Sequence, residues 1–313
     1  MKPEALERAE LPASIGPAAI TMGVFDGVHR GHVALLEATH RAAEARGLPS
    51  VALVFDPHPD EVVRPGTSVP RLAPLHVNLR HIRALGVTHA VAHRFDEHVR
   101  SLDAQAFLDS LHPTIVTRVL VMTPDAAFGR DRGGTVAVMR AHGREAGFQV
   151  EVVEPVADAD AEISSSRLRE AVAAGDLASV RRLARPAYLE GTVVKGDHRG
   201  RQLGYPTANL RFDYVPAMPP LGIYTGRVSV PDRGVGPGHP ALVSIGVRPT
   251  FHSEGQLLVE VHLLDFDGDL YGAPLAVELY DRLREERRFD DVPALVAQMH
   301  QDEADARRLL GRG

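Results

Sequence analysis

The chain of 313 residues contains no cysteine and no tryptophan, and aromatic residues make up only 5% of it. Without cysteine there is no disulfide, no thiolate zinc site and no cysteine nucleophile. No apolar run approaches the about 18 residues that a membrane span requires. The stretch MKPEALERAELP at the start also lacks the basic-then-apolar order of a secretory signal. We therefore predict a cytoplasmic protein with no membrane partner.

An excess of positive charge is also missing. The net charge is −6, from 35 lysines and arginines against 41 aspartates and glutamates. This balance gives no electrostatic footprint for nucleic acid, so we predict no nucleic-acid partner. The G-x-x-x-x-G-K-[ST] loop is absent as well, so any bound phosphate must be held by other local groups.

The first half of the chain alternates short apolar runs with helical patterns, which predicts βαβ units and a parallel sheet. A helix over His32–Arg46 is expected to end at Gly47. The other predicted strands and helices of this half are Ala18–Val24, Val51–Phe55, Ala104–Leu111, Arg118–Met122, Val136–Ala146 and Phe148–Val153. Ligands of such sheets bind beyond the carboxyl ends of the strands.

The second half has short strand-like runs separated by glycine and proline, which predicts an antiparallel barrel or sandwich. The segment Pro293–Leu310 is expected to form a closing helix, and GVGPG (234–238) a turn between two strands. With about two domains expected at this length, we place their boundary near Arg185–Pro186. The predicted domains are residues 1–186 and 187–313. The sequence gives no prediction of the oligomeric state.

The stretch GVFDGVHRGH (23–32) lies where the first strand ends and the first helix begins. A helix N-terminus offers unpaired N–H groups to an anion, and its glycines allow a phosphate to approach the backbone. His29 and His32 are three residues apart and can reach the same side of the first turn. The pattern predicts a phosphate-binding turn with two imidazole donors. A simple helix cap with a solvated imidazole, or a metal site from His29, His32, His58 and Asp26, are the alternatives.

The segment GTVVKGDHRGRQLGYPTANL (191–210) combines glycines with cationic side chains, which suits a polyphosphate. Thr207 and Asn209 are two apart and are expected on one face of a strand. Both supply neutral oxygen atoms, which Mg²⁺ accepts alongside phosphate and water. In LLVEVHLL (257–264), Glu260 and His262 should face away from the apolar positions. An exposed strand carboxylate is the alternative for Glu260.

The first half resembles the HxGH nucleotidyltransferases, in the form found in bacterial bifunctional riboflavin kinase/FAD synthetases. GVFDGVHRGH matches the first motif, VFDPHP (54–59) the second and ISSSRLR (163–169) the third. The resemblance implies a Rossmann-like domain that transfers AMP from ATP to FMN and releases pyrophosphate. It implies that the histidines 29 and 32 serve the phosphates in catalysis. ATP-phosphate contacts are implied for Gly23, Phe25, Asp26, Gly31, Ser164, Ser165, Ser166 and Arg167, and flavin contacts for Asp56 and His58.

The second half resembles the riboflavin kinases over essentially its whole length. After PTAN come PPLGIYTGRV, VSIGVRPTF, VEVHLLDFDGDLYG and LREERRF in the family's order. The resemblance implies a six-stranded antiparallel barrel, in which Glu260 deprotonates the 5′-hydroxyl of riboflavin. It implies that Thr207 and Asn209 bind Mg²⁺. It further implies ATP-phosphate contacts for Gly196, Arg201, Gly204 and Thr207, and flavin contacts for Arg284 and Phe289.

One stretch departs from the family pattern. The family has a form like Val-Gly-x-Asp-Phe-x-Phe-Gly where this chain has VMTPDAAFG (121–129). Asp125 and Phe128 match and are expected at the flavin, whereas Thr123 replaces a glycine and Ala126 an aromatic residue. We predict a bifunctional enzyme with the partners riboflavin, FMN, FAD and ATP. The alternatives are a riboflavin kinase with a degenerate front domain and a non-catalytic flavin-binding regulator.

Overall fold

A computed structural model describes residues 14–159, 161–196, 200, 203–248 and 256–311. The chain forms two compact units, Met1–Val69 with Pro74–Ser165, and Pro70–Ala73 with Ser166–Gly313. An α/β unit is thus followed by a β-barrel unit, as the sequence predicts. The boundary near Arg185–Pro186 stays a prediction about where the two activities divide.

The α/β unit is built on a parallel sheet with the strand order β3-β2-β1-β4-β7. Its strands are β1 (Gly16–Gly23), β2 (Ser50–Asp56), β3 (His89–Arg94), β4 (Ile115–Met122), β5 (Ala127–Phe128), β6 (Gly134–Thr135), β7 (Gln149–Val152), β8 (Ala157–Asp158) and β9 (Ala161–Glu162). Its helices are α1 (Arg30–Glu44), α2 (Pro59–Val63), α3 (Leu75–Ala84), α4 (Glu97–Ser101), α5 (Ala104–Ser110) and α6 (Val136–Ala146). The pairs β5–β6 and β8–β9 form separate two-stranded sheets.

Alternate residues of β1 face opposite sides of the sheet, and each side is covered by helices. Ile20 packs with residues of α5 and α6, while Ala19 packs with residues of α1 and α3. The strand order reverses at β1, which lies between β2 and β4. A crevice opens beyond the carboxyl ends of the strands at such a reversal, so the turn after β1 occupies the expected ligand position.

Several predicted bounds of the α/β unit are corrected. Helix α1 begins two residues earlier than predicted and ends at Glu44, with Ala45 as its C-cap. Gly47 lies beyond the helix at a φ of 63° and closes the following turn. The sequence also missed α3 and β3, because HAVAHR (89–94) carries two histidines and an arginine and does not resemble a buried strand.

The second unit is a closed six-stranded antiparallel barrel with the order β10-β11-β14-β13-β12-β15. Its strands are β10 (Ala187–Val194), β11 (Ala208–Arg211), β12 (Gly222–Val230), β13 (Val235–Arg248), β14 (Gln256–Leu263) and β15 (Pro274–Arg284). Helices α7 (Ser165–Ala174) and α8 (Leu177–Leu183) precede the barrel, and α9 (Val292–Leu310) follows it. Ala306 of α9 packs against Leu242 and Leu264, as expected of a closing helix.

Two local predictions in the barrel are wrong. The turn between β12 and β13 is a 3₁₀ turn over Pro231–Arg233 closed by Gly234 at a φ of 72°, and most of GVGPG lies inside β13. Thr207 precedes β11 instead of lying on it, because the strand begins at Ala208. Proline has no N–H to donate, so Pro206 cannot extend the ladder past that point.

Candidate functional sites

The turn after β1 holds its backbone in conformations that cost energy. Phe25 and Val28 have φ values of 51° and 38°, a region that bulky or β-branched residues rarely occupy. Gly27 has a φ of 77°, and its N–H donates to Asn78 Oδ1 at 3.2 Å. Such strain persists where the surroundings impose it, and it is concentrated at functional sites.

His29 and His32 lie together at the start of α1. His29 is the N-cap, and its Nδ1 accepts a hydrogen bond from the backbone N–H of His32 at 3.3 Å. The two rings stack with centroids 3.6 Å apart, and the ring of Phe25 lies 5.1 Å from His32. Since Nδ1 of His29 is an acceptor, the proton of the neutral ring is on Nε2, which can donate to a ligand.

The first and third motifs meet at this turn, although they are far apart in the sequence. The hydroxyl of Ser165 donates to the backbone oxygen of Asp26 at 2.9 Å, and Asp26 itself is buried. A Cβ at Gly31 would lie 3.3 Å from the carbonyl oxygen of Ile163, so glycine permits this close approach. A Cβ at Gly23 would likewise lie 3.3 Å from the ring of Phe25.

The ISSSRLR motif (163–169) spans the start of helix α7, which begins at Ser165. The division between the two units falls inside this motif, since Ser164 and Ser165 belong to the α/β unit and Ser166 and Arg167 to the barrel unit. The structure therefore brings the first part of the motif to the histidines. Phosphate contacts of Ser164, Ser166 and Arg167 stay a prediction.

The predicted flavin residues of the α/β unit lie at or after the carboxyl ends of β2 and β4, the two strands on either side of β1. Asp56 is the last residue of β2, and His58 caps α2 by accepting the Asp60 N–H at 3.1 Å. Asp125 and Phe128 follow β4, and the ring of Phe128 lies 5.9 Å from that of Phe107. His58 therefore has a structural role, and flavin contact of these four residues stays a prediction.

The stretch VMTPDAAFG (121–129), which departs from the family pattern, contains a side-chain hydrogen bond. The hydroxyl of Thr123 donates to Oδ1 of Asp125 at 2.7 Å, a bond that the glycine usual in the family cannot make. Ala126 packs against the core cluster on one side of the sheet. Both residues that depart from the family pattern thus make a contact within the α/β unit.

A metal site made from the histidines of the first motif has no support in the structure. Across the residues that the structure describes, no group of three His, Asp or Glu side chains comes together as a metal-binding set. His29 and His32 instead stack and cap the helix. We therefore set the metal alternative aside for this turn.

In the barrel unit, the structure brings Thr207, Asn209 and Glu260 together. Asn209 of β11 is directly opposite Glu260 of β14, and the hydroxyl of Thr207 donates to Glu260 Oε1 at 3.2 Å. Asn209 is 6% exposed, and its Oδ1 is buried without a hydrogen-bond partner among the described residues. A buried acceptor without a donor is costly, which points to a ligand at this atom.

A cavity of about 450 Å³ opens beside these residues. Thr207, Asn209 and Gly196 line it, together with the rings of Phe266 and Tyr271. This volume is in the range of small-molecule sites, which is about 300–1,000 Å³. Sequence reasoning missed the two rings, because aromatic side chains in a loop carry no distinguishing spacing.

The predicted glycines of the cationic segment have different roles. A Cβ at Gly196 would lie 2.3 Å from Nδ2 of Asn209, so glycine is required where this backbone passes the amide. Gly204 has a φ of 85°, in the left-handed region that favours glycine, so it serves the turn. Arg201 lies outside the described residues, and its phosphate contact stays a prediction.

For the kinase activity that the resemblance implies, we expect Gly196→Ala to lower the rate by about 10²-fold, because displacing a positioned group by about 1 Å has an effect of this size. The added methyl group must push the buried Asn209 amide aside. Steady-state kinetics with ATP as the varied substrate measure the effect. Gly236→Ala is the matched control, since its Cβ would meet nothing within 4 Å. Equal rates for the two variants would contradict the role of Gly196.

Arg284 is held by the closing helix. Its Nε and Nη2 donate to the carboxylate of Asp302 at 2.7–3.0 Å, and both side chains are nearly buried. Its guanidinium lies 5.8 Å from the ring centroid of Phe289. The pair therefore fastens β15 to α9. A flavin contact of Arg284 and Phe289 stays a prediction.

Asp302→Ala should lower the free energy of unfolding by about 3–5 kcal/mol, because it leaves the buried Arg284 cation without its partner. Denaturant unfolding of the full chain measures this change. Asp305→Ala is the control, because its ion pair with Arg308 is exposed and contributes little. A similar loss of stability in both variants would show that burial of the Arg284–Asp302 pair is not the cause.

Several positioning residues have no sequence signal. Asn78 holds the strained turn from α3, but an isolated asparagine in a helix carries no motif. Tyr205 is buried, and its hydroxyl is hydrogen-bonded to His300 Nδ1 at 2.8 Å. Burial, with the carboxylates of Glu303 and Asp302, raises the pKa of Tyr205, so its hydroxyl stays protonated.

Two family models match the chain, one in each half. The model for FAD synthetase matches residues 12–167, and the model for riboflavin kinase matches residues 183–310. The fold and these matches define a two-part enzyme of flavin nucleotide synthesis, with a nucleotidyltransferase unit before a kinase barrel.

Curated relatives match nearly the whole chain. A "Bifunctional riboflavin kinase/FMN adenylyltransferase" of Pseudomonas fluorescens is 38% identical and covers 92% of this chain and 92% of its own length. Proteins of the same name from Escherichia coli and Bacillus subtilis are 36% and 32% identical, each over 93% of this chain and 92% of their own. The chain belongs to the family of bifunctional riboflavin kinase/FMN adenylyltransferases.

One solved structure has the same fold over nearly its full length. It has a TM-score of 0.83 and 30% identity, covers 95% of each chain, and is titled as a macrolide-efflux protein from Streptococcus pneumoniae. Within the described ranges of the present chain, no helix is both long and apolar enough to span a bilayer.

Proposed function

We propose that this chain converts riboflavin to FAD in two steps that each use one ATP. The barrel unit phosphorylates riboflavin to FMN, and the α/β unit adenylylates FMN to FAD with release of pyrophosphate. The observation that carries the proposal is the meeting of Thr207, Asn209 and Glu260 beside the 450 Å³ cavity, together with the two stacked histidines of the other unit.

In the kinase step, the 5′-hydroxyl oxygen of riboflavin attacks the γ-phosphorus of ATP and ADP leaves. A primary alcohol must lose its proton as it attacks, so a positioned carboxylate accelerates the step. Glu260 is that base in our proposal, and the hydroxyl of Thr207 fixes its Oε1. In this scheme the other oxygen of the carboxylate, Oε2, accepts the proton of the 5′-hydroxyl group.

The oxygen donors beside the cavity fit Mg²⁺. Asn209 Oδ1 is a buried acceptor with no hydrogen-bond partner in the described part of the chain, and Thr207 lines the same cavity. Neutral oxygen atoms, few in number, are what Mg²⁺ takes from a protein when phosphates supply the rest. We propose that Thr207 and Asn209 hold this ion, which would neutralise charge on the transferred phosphate.

In the adenylylation step, a phosphate oxygen of FMN attacks the α-phosphorus of ATP, and the bond to the pyrophosphate oxygen breaks. The attacking phosphate is already an anion, so no general base is needed. The residues serve alignment and charge neutralisation. Nε2 of His29 and the ring of His32 would donate to the phosphates, next to the N–H groups that begin α1.

Chromatography of riboflavin, FMN and FAD after incubation with ATP and Mg²⁺ tests the proposal. Starting from riboflavin, we expect FMN and then FAD. Starting from FMN, we expect FAD with an equal amount of pyrophosphate. Absence of FAD and pyrophosphate from the second incubation would leave only a riboflavin kinase. If neither the riboflavin nor the FMN incubation gives a product, the result would favour a flavin-binding regulator over an enzyme. A cytoplasmic location stays a prediction for the full chain.

A further inference from the structure

The segment Tyr205–Thr207 is held beside the kinase site by side chains, not by the sheet. Strands β11 and β14 pair at Ala208 with Val261 and at Asn209 with Glu260, and the pairing stops there. Pro206 has no N–H, so the ladder cannot continue along this segment. Something else must therefore fix the position of the Thr207 hydroxyl.

His262 forms a side-chain hydrogen bond to the segment where the strand ladder has ended. Its Nδ1 lies 2.8 Å from the carbonyl oxygen of Pro206. A carbonyl oxygen only accepts hydrogen bonds, so Nδ1 of His262 must carry the proton. His262 is two residues from Glu260 on β14, so one strand face supplies both the proposed base and the group that anchors the adjoining loop.

The loop is fastened at three points around Pro206. His262 holds the Pro206 carbonyl, and Glu260 accepts from the Thr207 hydroxyl at 3.2 Å. The third hydrogen bond joins the Tyr205 hydroxyl to His300 of α9. The ring of Tyr205 also lies near the ring of His262, with the two centroids 5.1 Å apart. The three bonds join β14, the loop and the closing helix.

We propose that His262 is a positioning residue for the kinase reaction, acting through its hydrogen bond to Pro206 to set the Thr207 oxygen against the Glu260 carboxylate. The inference rests on the proposed function of the barrel. His262 touches neither substrate in this scheme. Its loss frees the Thr207 hydroxyl while Glu260 stays on its strand.

The test uses three variants of the full chain. His262→Leu removes the donor and keeps most of the volume, and we expect the kinase kcat to fall about tenfold, the effect of losing one hydrogen bond that orders a site. His262→Asn places an N–H donor close to the position of Nδ1, and we expect it to restore most of the rate. His239→Leu is the matched control, because it removes a histidine bond to the carbonyl of Leu264.

A purely structural role of His262 predicts a different pattern. It predicts that both the leucine and the asparagine variant lower the melting temperature and the rate in parallel, and that result would overturn the proposal. An asparagine variant as slow as the leucine variant, with unchanged unfolding, would overturn it as well. A parental kcat in His262→Leu would also overturn it. Adenylylation of FMN by the same preparations reports on the other unit and should not change. Failure of the proposed function itself is distinguishable, because the parent chain would then form no FMN from riboflavin and ATP.

Discussion

Glu260→Gln lowers the rate of FMN formation by about 10²–10⁴-fold, the usual contribution of a positioned general base. The amide keeps the size of the side chain and can still accept the Thr207 hydroxyl, but it cannot take the proton of the 5′-hydroxyl group. Riboflavin binding should persist, because the substitution removes a transition-state interaction alone. Initial-rate kinetics and flavin fluorescence titration measure the two quantities.

Glu278→Gln is the matched control for this experiment. Glu278 is also a strand carboxylate of the barrel, but it pairs with Arg185 and the Tyr280 hydroxyl. We expect this variant to keep its kinase rate, and we expect both variants to adenylylate added FMN normally. FMN production near the parental rate in Glu260→Gln would disprove the assignment of the base.

His29→Asn lowers the rate of FAD formation from FMN by about 10²–10³-fold, the effect of removing one donor from a charge-stabilising site. Asparagine is a preferred N-cap, so it can still accept the backbone N–H of His32. It has no group at the position of Nε2, however. The substitution therefore separates the catalytic role of the imidazole from its role as a cap.

The kinase activity of His29→Asn serves as the internal control, and it should equal that of the parent because the other site lies in the barrel. His29→Ala should show the same loss of FAD formation and, in addition, a stability lower by about 1 kcal/mol from the missing cap. Equal loss of both activities would refute separate sites. An unchanged rate of FAD formation would refute the role of His29.

Local patterns predicted much of the fold because they depend on neighbours in the chain. The helix Val136–Ala146 was predicted with its observed bounds, since Thr135 and Gly147 cap its two ends. The strand His89–Arg94 was missed, because tertiary burial, not its composition, makes it part of the sheet. The turn at 231–234 was misplaced because several glycines and prolines in this stretch allow more than one turn.

The sequence by itself determined the two-part organisation, the turn GVFDGVHRGH at a strand end, and the presence of Thr207, Asn209 and Glu260. These follow from periodicity, turn residues and motif spacing, all of which are local. Only the tertiary structure decided which atoms meet: Ser165 with Asp26, and Asn209 opposite Glu260. Strand register and barrel closure set the second contact, because they bring together residues whose separation in the chain carries no signal. The same closure buries Asn209 Oδ1, which has no donor among the described residues, and brings Pro206 to His262.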